Sequence, residues 1–160
     1  MKKNIWKWVI RMKENKEFLK LTTILFRTMQ NVEGVLKKDI QSYHLNTSEF
    51  GTLEHLYHKG KQSIQNVCNR MLMANSSMTY VVDKLEKRGF VMRQQDEKDK
   101  RNTMIDLTES GKIFFEGIFP SHVATLNNIY QALEPEEVTQ LIHSLKKIGY
   151  QAMALNGGKK

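Results

Sequence analysis

The side chains able to do chemistry are poorly grouped for catalysis. Five histidines, one cysteine and 17 carboxylates show no nucleophile–base spacing. His55 and His58 share a helical face, but with no HxxxH pair and no second cysteine they make a weak metal candidate. Gly157 and Gly158, the one adjacent glycine pair, sit in the tail, so no glycine-rich phosphate loop exists. Neither an enzyme nor a bound cofactor or metal is expected. What stands out instead is Ser76, Ser77, Thr79 and Tyr80, followed by Lys84, Lys87 and Arg88. The first four are short or planar hydrogen-bonding groups suited to base edges, and the last three suit phosphates. The competing reading is an ordinary amphipathic surface helix with Asp83 and Lys87 as an i,i+4 ion pair.

The elements that must position these groups follow from periodicity. Phe18, Leu21, Leu25, Met29, Val32, Leu36 and Ile40 recur at steps of three and four, which predicts a first long helix. Asn46 or Thr47 caps a second, with Phe50, Leu53, Leu56 and Tyr57 inward and Gly60 ending it. A short third helix covers about Ser63 to Arg70. The fourth is capped by Asn75, Ser76 or Ser77, buries Met78, Val81, Val82 and Leu85, and stops at Gly89. Phe90 to Arg93 and Thr103 to Leu107 read as a strand pair around a charged turn. Thr108 caps a further helix in which Pro120 should kink or break the pattern. Pro135 opens the last helix, with Val138, Leu141, Ile142, Leu145 and Ile148 as its stripe.

Charge points the same way. Lys and Arg number 25 against 17 Asp and Glu, for a net +8. The excess is concentrated in residues 1–20 and 70–101, while residues 109–148 are mildly acidic. A basic middle suggests a polyanion-binding surface; a generic basic surface is the plainer alternative. No apolar run exceeds four residues, which excludes a transmembrane helix. A single cysteine fits a reducing cytoplasm. Two short helices, a polar helix and a charged hairpin form the order of a winged helix-turn-helix. The fold class expected is mainly α: a winged helix-turn-helix with a helical dimerisation region from the N- and C-terminal helices.

At these residues the chain resembles the MarR family of bacterial transcription regulators. Asp99-Lys100-Arg101, five residues, then Leu107-Thr108 fit that family's D-x-R-x5-L-T wing signature. Residues 82–91 look like the end of its recognition helix, and Thr108-Glu109-Ser110-Gly111, Phe119-Pro120-Ser121-His122 and Leu133-Glu134-Pro135-Glu136-Glu137 are similar to its C-terminal pattern. The likeness spans roughly residues 17 to 150. It implies a homodimer on a pseudo-palindromic operator in double-stranded DNA, more a repressor than an activator, released by a small-molecule or oxidative signal. The organisation expected is a basic amphipathic extension (1–16), a dimerisation region (17–45 and 109–156), a winged domain (46–108) and a flexible tail (157–160). The resemblance gives Arg101 to the minor groove with Asp99 orienting it; the alternative is that both only stabilise the turn. Lys98 and Lys100 would join the phosphate contacts. Lys100, where relatives often carry a second arginine, and Glu97, near a frequent proline, depart from the pattern.

The other candidates stay open between two readings. Tyr43, His44, His55 and His58 could line the effector cleft many relatives have, or be partly exposed helix residues. Cys68 could sense oxidants, as a cysteine does in some relatives; against this, it occupies a slot where the family usually has alanine, and a buried cysteine without an activating cation packs as a small apolar residue. The segment with Ile5, Trp6, Trp8 and Val9 among lysines could pack on the dimer, clamp phosphates or lie on an anionic membrane. A membrane-surface or protein-interaction module led by this segment is the alternative to a DNA-binding regulator.

Overall fold

The computed structural model describes residues 2–71, 73–96 and 102–157, with side chains from residue 15 onward. Nine elements follow in order: α1 (Lys2–Ser42), α2 (Thr47–Lys59), β1 (Gln62–Ser63), α3 (Ile64–Met71), α4 (Asn75–Lys87), β2 (Val91–Gln95), β3 (Thr103–Leu107), α5 (Glu109–Tyr130) and α6 (Pro135–Leu155). The chain divides into two compact units, one ending at Phe119 and the other starting at Pro120.

In the first unit, local signals set the helix ends. Asn46 accepts from the Glu49 backbone N–H at 2.8 Å while Glu49 Oε2 accepts from the Asn46 N–H at 2.9 Å, a reciprocal capping box that starts α2. Thr108 Oγ1 accepts from the Gly111 N–H at 2.9 Å and starts α5. Gly60 and Gly89 end α2 and the turn after α4 at positive φ, a conformation that a Cβ would strain. α1 is longer than its apolar stripe suggests: it begins at Lys2, so the expected boundary between an extension and the first long helix is not a break in the helix.

The sheet has order β1-β3-β2, all antiparallel, with Gln62 paired to Ile105 and Val91 to Leu107. β1, only two residues, escaped the sequence reading because so short a segment shows no period. Leu53, Leu56, Val67, Met78, Val82, Leu85, Ile105 and Phe115 are sealed in the core. Phe115 touches both Phe50 (5.6 Å between centroids) and Tyr57 (5.0 Å), so α5 closes over α2 through aromatic contacts. Thr52, also buried, donates to the Ser48 carbonyl at 2.8 Å.

Of the two outcomes expected at Pro120, a kink or a break, the break is corrected: α5 runs through it to Tyr130. Proline removes one donor, the N–H that would reach the Glu116 carbonyl, and flanking turns hold the helix across that gap. The second unit contains the rest of α5 and all of α6. A capping box between Glu134 and Glu137, with Pro135 in the first turn, begins α6. None of its residues is buried. Among the described residues no helix is long and apolar enough to cross a membrane.

Candidate nucleic-acid interface

α4 is presented by the helix before it. Asn75 Nδ2 donates to Gln65 Oε1 on α3 at 3.0 Å, so its amide ties the two helices together. Capping of α4 by Asn75, Ser76 or Ser77 is not what the structure shows. Ala74 holds the cap position, with no side-chain cap bond, because the helix begins one residue earlier than polar-cap logic suggests. Ser76, Ser77, Thr79 and Tyr80 are all exposed over the first turns, and Tyr80 keeps 60% of its surface. Thr79 spends its proton on the Asn75 carbonyl at 3.0 Å, so toward an outside partner its hydroxyl can only accept. Ser76, Ser77 and Tyr80 share an open cavity of about 570 Å³ with Asn46, Thr47 and Ser48.

Around the exposed side of α4 run two adjacent polar stripes. Tyr80, Lys84 and Lys87, at i, i+4 and i+7, make a basic one. Lys84 Nζ lies 4.8 Å from the Tyr80 ring centroid and 3.9 Å from Glu49 Oε1. Tyr80, with Glu49 behind it, holds the Lys84 pKa above its ordinary value, so the ammonium stays charged. Thr79, Asp83 and Glu86 make the second stripe, and Arg93 of β2 covers it. Its guanidinium pairs with both the Asp83 and Glu86 carboxylates and reaches the Thr79 carbonyl at 3.4 Å. The competing reading of this helix paired Asp83 with Lys87, and no reading of the sequence found Arg93. The available signal was that Arg93 lies two residues from core-facing Val91 and so points to the same sheet face.

Arg88, read as a phosphate contact, has a structural partner set. It donates to the His44 carbonyl at 2.8 Å and lies over the Phe90 ring (4.7 Å), which stacks on Phe114 (4.3 Å). With Lys84, Lys87, Gln41, His44 and Asn46 it also lines an open cavity of about 550 Å³. Lys98, Asp99, Lys100 and Arg101, the wing-tip candidates, lie outside the described residues. At the near end of that hairpin the Asp96 N–H donates to the Asn102 carbonyl at 3.0 Å.

The effector-cleft candidates stand in different surroundings. Tyr43 donates to Asp39 Oδ1 at 2.7 Å and stacks on Phe50. His44 sits at φ 58°, its carbonyl engaged by Arg88. His55 is half-buried; burial first, then Arg70 and Lys59, lowers its pKa. His58 is exposed and meets Tyr57 and Phe119 edge-on. Cys68 is fully buried in the core, and burial pushes its thiol pKa up, so the reactive thiolate is disfavoured. No group of three His, Cys, Asp or Glu side chains poised for a metal occurs among the described residues.

Comparison with known proteins bears on this geometry. The MarR family model matches residues 45–103, from the turn before α2 into the start of β3. The chain is 38% identical over 134 residues to the HTH-type transcriptional regulator MhqR of Bacillus subtilis, covering 84% of this chain and 92% of that one. It is 36% identical over 137 residues to the Bacillus subtilis regulator YkoM, covering 86% and 89%. Among solved structures, AbsC of Streptomyces coelicolor, a MarR family transcriptional regulator, superposes with TM-score 0.79 at 22% identity, over 85% of this chain and 94% of that one. A mutant MarR of E. coli complexed with operator DNA superposes with TM-score 0.73 at 20% identity, over 82% and 95%. The two structures speak for the fold and the two curated regulators for the lineage: this chain belongs to the MarR family of DNA-binding transcriptional regulators.

Proposed function

We propose that the chain acts in the cytoplasm as a homodimeric repressor that binds a pseudo-palindromic operator and leaves it on a small-molecule signal. The observation that carries the reading is the division of α4. Met78, Val81, Val82 and Leu85 are buried, while Ser76, Ser77 and Tyr80 stand exposed at the N-terminal turns. A helix so divided keeps its place on the domain while offering hydrogen-bonding groups to base edges in a major groove. Thr79 joins them as an acceptor. Lys84 and Lys87 supply phosphate contacts, and Arg88 anchors the end of the helix. From the family likeness, Lys98 and Lys100 add phosphate contacts, and Arg101, oriented by Asp99, enters the minor groove.

Pairing of two copies is supported by apolar side chains left open on long helices. On α1 these include Phe18, Leu21 and Met29; on α6 they include Ile142, Leu145 and Ile148. Such stripes need a cover, and a symmetric copy supplies it. An effector acts by binding one spacing of the two α4 helices better than the other, which shifts the population away from the DNA-competent state. Burial of Cys68 favours a small-molecule signal over thiol oxidation.

The test measures mass and DNA binding together. Sedimentation should give a dimer for the wild type and a monomer for the I142D/L145D variant, with loss of specific binding. Half-sites about 10 bp apart should bind, and a five-base-pair insertion should abolish cooperative binding by turning one half-site to the far side of the duplex. A dimeric double variant, or insertions without effect, would refute the model.

A further inference from the structure

Arg93 belongs to the wing's first strand, yet its interactions are with α4. It pairs with Ile105 in the sheet register and follows Val91 on the core-facing side, so its side chain leaves the strand toward the helix. There a single guanidinium, 24% exposed, meets two carboxylates a turn apart, Asp83 and Glu86, and a third acceptor, the Thr79 carbonyl. Those three residues form one stripe of α4. The next stripe round the helix is Tyr80, Lys84 and Lys87, all exposed, on the side proposed to meet DNA.

Two consequences follow from that placement. Without Arg93, two carboxylates would border the surface that must approach phosphates, and their repulsion would oppose the lysines. Second, a planar fork with several acceptors fixes orientation as well as distance, which a point charge does not. The contact joins β2 to the middle of α4, at a turn beyond the groups proposed to read bases. It therefore sets the rotation of α4 relative to the hairpin, and with it the distance between the two DNA-reading elements.

We infer that Arg93 is a positioning residue for DNA recognition: by holding Asp83, Glu86 and the Thr79 carbonyl at once, it fixes the recognition helix to the wing so that both meet one operator in register. The inference rests on the reading that α4 enters the groove. Since Arg93 itself faces the protein, its removal should act on discrimination between sequences more than on attraction to any duplex.

The experiment uses the full-length protein and two duplexes: one enriched from a random-sequence pool on the wild type, and its scrambled version. Affinities are read across a salt series for wild type, R93K, R93Q, the D83N/E86Q double variant and Y80A, after thermal unfolding has confirmed that each is folded. The ratio of enriched to scrambled affinity should fall about tenfold or more in R93Q, as for loss of one well-read base position. It should fall similarly in R93K, which keeps the charge but loses the fork, and in D83N/E86Q, which replaces the carboxylates the fork holds with neutral amides and leaves the guanidinium without a counter-charge. A wild-type ratio in R93K would overturn the proposal, because a point charge would then suffice and only screening would remain. A wild-type ratio in D83N/E86Q would overturn it from the helix side. Y80A tests the reading beneath: if it leaves the ratio unchanged while R93Q lowers it, α4 is not the base reader and that reading fails separately.

Discussion

Among the described glycines Gly111 has the least room for a side chain, and substituting it is the sharpest test of the packing. A Cβ built on Gly111 would lie 1.9 Å from the Phe90 carbonyl oxygen, 2.7 Å from its carbonyl carbon and 2.9 Å from its Cα. All three atoms are backbone, so no side chain can swing aside. For Gly111→Ala, α5 must move off the start of β2 by more than 1 Å to restore ordinary contact. That movement pulls on the clasp next to it, where the Thr108 N–H donates to the Phe90 carbonyl (3.0 Å), the Thr108 hydroxyl to the Gly89 carbonyl (2.5 Å) and the Gly111 N–H to Thr108 Oγ1 (2.9 Å). Overpacking costs about 1–3 kcal/mol, and weakening a hydrogen bond adds roughly 1 kcal/mol. Alanine's helix propensity returns about 1 kcal/mol. Gly117→Ala is the control, because it lies on the same helix with nothing within 4 Å of the added Cβ. Both variants gain the propensity term, so the difference between them isolates the clash, at about 3 kcal/mol. With a urea slope of about 2 kcal/mol per molar, the two unfolding midpoints followed by circular dichroism should differ by roughly 1.5 M. Gly111→Ala matching or exceeding Gly117→Ala in stability would refute the close approach of α5 to β2.

Two further predictions concern titration and thiol chemistry. His55 has its pKa lowered in the fold, so the unfolded chain binds its proton first; its contribution is present above the ordinary value of 6.5 and is lost as pH falls through the lower folded value. Stability should therefore decline on acidification through that window, and urea midpoints of His55→Gln should fall less steeply there; equal slopes would exclude His55 as a cause. For Cys68, buried with its pKa raised, iodoacetamide should label the native protein far more slowly than the urea-unfolded chain. Cys68→Ala should still fold and bind DNA, whereas Cys68→Ser should be less stable by about 1–3 kcal/mol through burying a hydroxyl. Rapid native labelling would contradict the packing.

Most elements were legible from the sequence because their causes are local. The capping box at Asn46 and Glu49, the Thr108 cap, the stop at Gly89 and the first-turn Pro135 act within a few residues, and one helical period sorts Met78, Val81, Val82 and Leu85 to the inside of α4. The wing signature identified the family for a similar reason, since a short motif keeps its spacing along the chain. Side-chain partnership was a different matter. Helical spacing offered Lys87 as a partner for Asp83 in the competing reading, yet Asp83 meets Arg93, ten residues on, because the hairpin folds β2 against the helix. Arg88 read as a phosphate contact, and the sequence held no sign that its guanidinium also reaches a carbonyl 44 residues away, at His44, and lies over the Phe90 ring. Gly111 looked like part of a motif, and only the packing of α5 on β2 shows that a Cβ has no room there. Local backbone preferences and apolar periodicity are written along the chain and determine where helices start, stop and face. Which charge meets which is decided by the approach of segments distant in sequence, and only the tertiary structure brings those segments together.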